Sequence, residues 1–217
     1  LSKSIMKYKY YKGPPLNRGG DLPFYVEIKN DLVDLLYKES CKLHAWMYGK
    51  EEWKLDPSTH SPKNNWEILK DRFPIIYDFK EKYNMTPNMI FLGFDKLDEI
   101  NAYEDKPHTH NSLNGCALFF TIKHSDGAGT AFFSPEEKDI ETLEYEYDNG
   151  WTLKLEECSH SVPPTEVCQF KTPHLICTNH FHGAYKIKDH PDNTKRVTMN
   201  WETNMAWHDF ERALNDS

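Results

Sequence analysis

Three short segments carry side chains whose types and spacing suit metal and anion chemistry: His108-Thr109-His110, His180-Phe181-His182 and Arg196-Val197-Thr198. On a β-strand, residues two apart point to the same face, so each His-x-His pair could present both imidazoles to one cavity. If the two segments are neighbours, a metal can sit between them, and imidazole nitrogen suits iron, copper, zinc and nickel. The ordinary alternative for any one histidine is a core or surface role. Two such pairs in one β-rich region favour the metal. Arg196 and Thr198 share a strand face by the same alternation. A guanidinium inside a β-structure is costly unless paired, and a carboxylate is the partner its planar fork fits. That carboxylate is either one of the chain's own or part of a bound dicarboxylate; an exposed strand position is the third reading.

The chain has 11 histidines, most of them beyond residue 107. His124, His160, His174 and His190 fall in expected turns or strand ends and read as structural or solvated. The elements that must position the others come in two textures. Residues 1–29 form an arm with Gly-Pro-Pro and Arg-Gly-Gly turns. From Asn30 to about Trp46, apolar residues recur at helical spacing, with Asn30 or Asp31 as N-cap. A second helical pattern starts near Asn64, and Pro74 should kink or split it. Beyond Met85 come short β-branched and aromatic runs separated by turn signals, the pattern of a sandwich or barrel. A short helix over about 205–214 closes the chain. Helices first and strands afterwards predict an α+β architecture.

With 217 residues, one domain is favoured. Its parts are an arm (1–29), a helical part (30–84), a β-sandwich core (85–203) and a C-terminal helix (204–217). The 34 acidic against 26 basic residues give a net charge of −8. That disfavours duplex nucleic acid, whose phosphates need clustered Lys and Arg. No apolar run approaches the roughly 20 residues that cross a bilayer, and the opening residues lack a signal-type run, so no membrane association is expected. Five cysteines, an odd number without CxxC spacing, argue against a disulfide framework or a thiolate zinc site. A cytoplasmic setting is expected.

The order of the motifs adds to this reading: Tyr103-x4-His108-x-His110, a strand over 113–122, Gly129-Thr130-Ala131-Phe132-Phe133, Leu175 to Gly183 with His182 before the glycine, and last Arg196-x-Thr198. Over about residues 87–203 this resembles the iron(II)- and 2-oxoglutarate-dependent oxygenases. The resemblance implies a double-stranded β-helix core, jelly-roll or cupin-like, with the N-terminal helices packed outside the sheet. It implies Fe(II) and 2-oxoglutarate as cofactors, and oxidation of a substrate C–H bond. His108 resembles the first metal ligand and His182 the distal one. Arg196 and Thr198 resemble the anchor for the far carboxylate of 2-oxoglutarate, and Tyr103 and Asn114 stand where pocket-lining residues occur. Phe119, Phe133 and Trp201 could line the same pocket, with core packing as the alternative.

The departure is His110, where the family carries Asp or Glu. Three outcomes are open: His110 is the third ligand of a three-histidine site, it points away while Glu104, Asp105 or water completes the shell, or the site is degenerate. Two other functions compete. A cupin-like dioxygenase with three histidines and no 2-oxoglutarate accepts His110 but leaves Arg196 unexplained, and it has Asn114 where that pattern carries Glu. A non-catalytic β-sandwich interaction module would use the basic aromatic arm, residues 7–12, to clasp a partner subunit. A small molecule or a peptide is the expected substrate, and a homo-oligomer is allowed.

Overall fold

The computed structural model describes residues 7–10, 12, 18–48, 66–94, 106–110, 115–146, 152–159, 161–192 and 196–216. It is an α+β fold in which antiparallel sheets form the core.

Helix α1 (Asp31–Tyr48) starts at the expected cap. Asn30 Oδ1 accepts from the Leu32 and Val33 amides at 2.7 and 3.3 Å, satisfying donors that a helix start otherwise leaves orphaned. Val33, Leu36 and Leu43 are fully buried at helical spacing. The second helical pattern divides at Pro74 into α2 (Trp66–Arg72) and α3 (Pro74–Lys82). Proline lacks the N–H that would continue a helix and is suited to begin one. Helix α4 (Trp207–Asn215) buries Trp207, Phe210 and Leu214.

The described strands are β1 (Lys7–Tyr10), β2 (Tyr25–Glu27), β3 (Met85–Phe94), β4 (Cys116–Lys123), β5 (Ala128–Phe133), β6 (Ile140–Glu146), β7 (Thr152–Cys158), β8 (Glu166–Cys168), β9 (His174–Cys177), β10 (Phe181–Lys186) and β11 (Arg196–Thr203). One five-stranded sheet runs β2-β9-β4-β11-β3; two three-stranded sheets run β10-β5-β8 and β1-β6-β7. Strand β1 pairs antiparallel with β6, Tyr10 opposite Leu143. Residues 7–10 of the basic run thus extend the chain's own sheet.

Alternation divides the five-stranded sheet between two environments. On one face Leu118, Phe120, Leu175, Met199 and Trp201 join the helices in a single core cluster, with the Trp201 ring 5.7 Å from that of Phe79. On the other face Ala117, Phe119 and Ile176 meet Phe132 of β5 and Phe170. Of the three aromatics considered for a pocket, Phe119 alone faces this gap. Trp201 packs on the helical side, and Phe133 belongs to a separate cluster with Cys158 and Phe181. Into the gap also go the alternate residues of β11, namely Arg196, Thr198, Asn200 and Glu202. No helix among the described residues is long and apolar enough to cross a membrane.

Candidate metal centre

Residues 106–110 form one extended segment stitched between β7 and β10. The His108 amide donates to the His182 carbonyl, and the His182 amide to the His108 carbonyl, both at 3.0 Å. On the other edge the Cys158 amide donates to the Pro107 carbonyl and the Thr109 amide to the Glu156 carbonyl, both at 2.9 Å. The segment therefore bridges the two three-stranded sheets. His108 and His182 are directly opposite, and His110, two residues on, shares their face. The His110 amide donates to the Thr178 carbonyl at 2.8 Å, while Thr109 turns away and its hydroxyl accepts from the Glu156 amide at 3.3 Å.

One ring nitrogen from each of His108, His110 and His182 lies within 4.8 Å of the other two. The rings of His108 and His110 are almost parallel, 6° apart, with centroids separated by 5.3 Å; His182 stands 4.8 Å from His110 and 5.3 Å from His108. Each Nδ1 meets an acceptor: the Lys106 carbonyl at 2.9 Å for His108, the His180 carbonyl at 2.8 Å for His182 and Glu202 Oε1 at 2.5 Å for His110. In a neutral ring, an acceptor at Nδ1 favours the proton there and leaves Nε2 as the nitrogen that can ligate. Metal-binding histidines are commonly held this way.

His182 is buried, and burial, followed by the charges of His110 and His108, holds it well below the ordinary imidazole range. It is neutral at pH 7, the form that can ligate. Burial pushes the Glu202 carboxyl up, but the hydrogen bond and the charge of His110 outweigh it and leave Glu202 below its ordinary value. Three imidazole nitrogens converging on one point fit a first-row divalent ion.

The second His-x-His pair does not act as a pair. Strand β10 starts at Phe181, so His180 lies in the preceding turn and its side chain follows no strand alternation. Its Nε2 faces the Leu22 carbonyl at 2.7 Å, and its ring lies against Gly19, where an added Cβ would come within 2.5 Å. The contribution of His180 to the centre is its backbone carbonyl, which orients His182. A surface groove of about 810 Å³, lined in part by Arg18, Phe24, Phe133, Glu166 and His180, runs past this turn and includes none of the three clustered histidines.

Arg196 points into the gap and is 3 % exposed. Its Nη2 donates to Thr130 Oγ1 at 2.9 Å, and among the described residues no Asp or Glu pairs with it. Burial pushes the guanidinium down to about 10. Thr198, two residues on, is buried on the same face. The buried Asn200 Oδ1 and Thr178 Oγ1 have no hydrogen-bond partner among the described residues. Tyr103, Asn114, Glu104 and Asp105 lie outside the described residues.

Two contributors escaped the sequence reading. Glu202 was legible as the continuation of one strand face, Arg196-x-Thr198-x-Asn200-x-Glu202, because a glutamate on the inward face of an otherwise buried strand needs a partner. Arg18 had no such signal. It forks onto the buried carboxylate of Glu156 at 2.8 and 2.9 Å and also pairs with Glu137, tying the N-terminal segment to the strand that holds Thr109. No family model matches the chain, and no curated protein matches it in sequence.

Proposed function

We propose that the protein is an iron(II)- and 2-oxoglutarate-dependent oxygenase built on a double-stranded β-helix, with His108, His110 and His182 holding the metal. The observation that carries this reading is the pairing, within one gap, of three convergent imidazoles with a buried arginine that has no carboxylate partner among the described residues. A buried cation of this kind calls for an anion. The spacing supports a short diacid. His182 is opposite Phe132, and Thr130, which binds Arg196, is two residues further along β5, a step of roughly 7 Å that is comparable with the span of a five-carbon dicarboxylate.

When bound, the metal and the keto acid would supply the oxygen-activating, C–H-oxidising chemistry. The chain's own residues divide the remaining work. His108, His110 and His182 offer Nε2 lone pairs from fixed orientations. Arg196, steadied by the Thr130 hydroxyl and flanked by Thr198, pairs the far carboxylate of 2-oxoglutarate. Phe119, Phe132 and Phe170 form an apolar wall that limits water in the gap. A three-histidine dioxygenase without 2-oxoglutarate is the second reading, favoured by a histidine as the third donor.

Anaerobic titration with Fe(II) and then 2-oxoglutarate tests both. Visible charge-transfer absorption and a rise in melting temperature on adding 2-oxoglutarate are expected, and His182→Ala should abolish metal binding. Metal binding with no response to 2-oxoglutarate would leave the second reading; no metal binding would refute both.

A further inference from the structure

Resting on the reading of the three histidines as a metal site, we propose that Glu202 is the carboxylate of this centre, acting as a positioning residue from behind His110. Two of the three Nδ1 partners are backbone carbonyls two residues before their own histidine, Lys106 for His108 and His180 for His182, and follow from the local extended backbone. The third is different in kind. Glu202 comes from β11, 92 residues away in sequence, and closes to 2.5 Å. Its place on the strand is opposite Ala117, the small side chain that leaves a carboxylate room on this face.

The physical consequence is a displaced charge. In a two-histidine, one-carboxylate site the negative ligand touches the ion. Here the ligand is an imidazole, and the negative charge is one ring further out. A carboxylate accepting from Nδ1–H makes Nε2 a stronger donor and fixes the ring's direction. Glu202 therefore restores, through His110, the charge compensation that the His-x-His sequence lacks. The site keeps a preference for hard divalent ions that three neutral imidazoles alone would not give.

The test is calorimetric metal titration of the full chain under anaerobic conditions with Fe(II), Mn(II) and Zn(II). Glu202→Gln keeps the shape and removes the charge; Fe(II) and Mn(II) affinity should fall 10–100-fold, with a smaller loss for Zn(II), whose affinity for imidazole is higher. His110→Asp alone should give no gain, because its carboxylate would face Glu202. The double variant H110D/E202Q, which moves the charge from the outer to the inner position, should recover Fe(II) affinity to within a few-fold of wild type. A change of less than twofold in Glu202→Gln, or tight Fe(II) binding by His110→Asp that the second substitution does not improve, would overturn the assignment. Failure of the wild-type chain to bind any of the three metals is a separate result, which refutes the metal site itself.

Discussion

Replacing Arg196 by methionine should make the ligand-free protein more stable and deaf to dicarboxylates. Burial pushes this guanidinium down to about 10, and at about 1.4 kcal/mol per pH unit the drop corresponds to roughly 3 kcal/mol against the charged form. Because the folded value is below the unfolded one, the penalty is fully present below pH 10 and is relieved only as pH rises above it; at pH 7 all of it stands. The Thr130 hydrogen bond offsets about 1 kcal/mol. Arg196→Met therefore stabilises by about 2 kcal/mol, and for a chain of this size each kcal/mol raises the melting temperature by about 2–4 °C. Scanning calorimetry at pH 7 should show a rise of roughly 4–8 °C. In wild type, 2-oxoglutarate supplied at about 100 times its Kd adds roughly 2.7 kcal/mol, seen as a further upward shift with Mn(II) present. The variant should show none. A destabilised variant that still gains stability with 2-oxoglutarate would refute the reasoning.

Three further outcomes follow from the packing. Gly19→Ala, whose Cβ would come within 2.5–2.6 Å of three His180 ring atoms, should cost about 1–3 kcal/mol and weaken metal binding, since the displaced turn carries the carbonyl that orients His182; calorimetry and metal titration read the two effects separately. Lowering the pH below about 6.5 should destabilise the metal-free protein: burial holds both His174 and His182 down, so the unfolded state takes up protons first, and a melting temperature flat between pH 7 and 5 would contradict this. Trp201→Ala should cost about 3–5 kcal/mol in urea unfolding while leaving the metal affinity of the folded fraction unchanged, because the indole lies on the helical side of β11.

Much of this arrangement was legible in the residues. Pro74 marked the break between two helices, aromatic and β-branched runs marked the strands, and His108 and His110 share a face as period two requires. His180 parts from His182 for a plain reason. It sits in the bend before β10, where its Nε2 is turned to the Leu22 carbonyl and its ring lies against Gly19. Glu202 was missed because its partner is 92 positions away, and nothing in the local sequence tells a strand glutamate which histidine it will meet. Arg18 was hidden for the same reason: only the fold brings an N-terminal segment onto Glu156.

Strand β11 lies between β3 and β4, and it works as a ruler with coarse graduations. Arg196 and Glu202 are six residues apart on one face, about 20 Å along the strand, which fixes how far the buried guanidinium stands from the carboxylate behind His110. Moving the arginine by one position would turn it into the helical core beside Met199 and Trp201; moving it by two would change the reach by about 7 Å. Under the proposed function, the accepted length of a bridging ligand would change only in large jumps along this strand, or through the reach of the side chain itself. A one-residue insertion between them would turn one of the two to the opposite face: with Arg196 held in place, Trp201 would take the position of Glu202 beside His110 unless a bulge absorbed the extra residue.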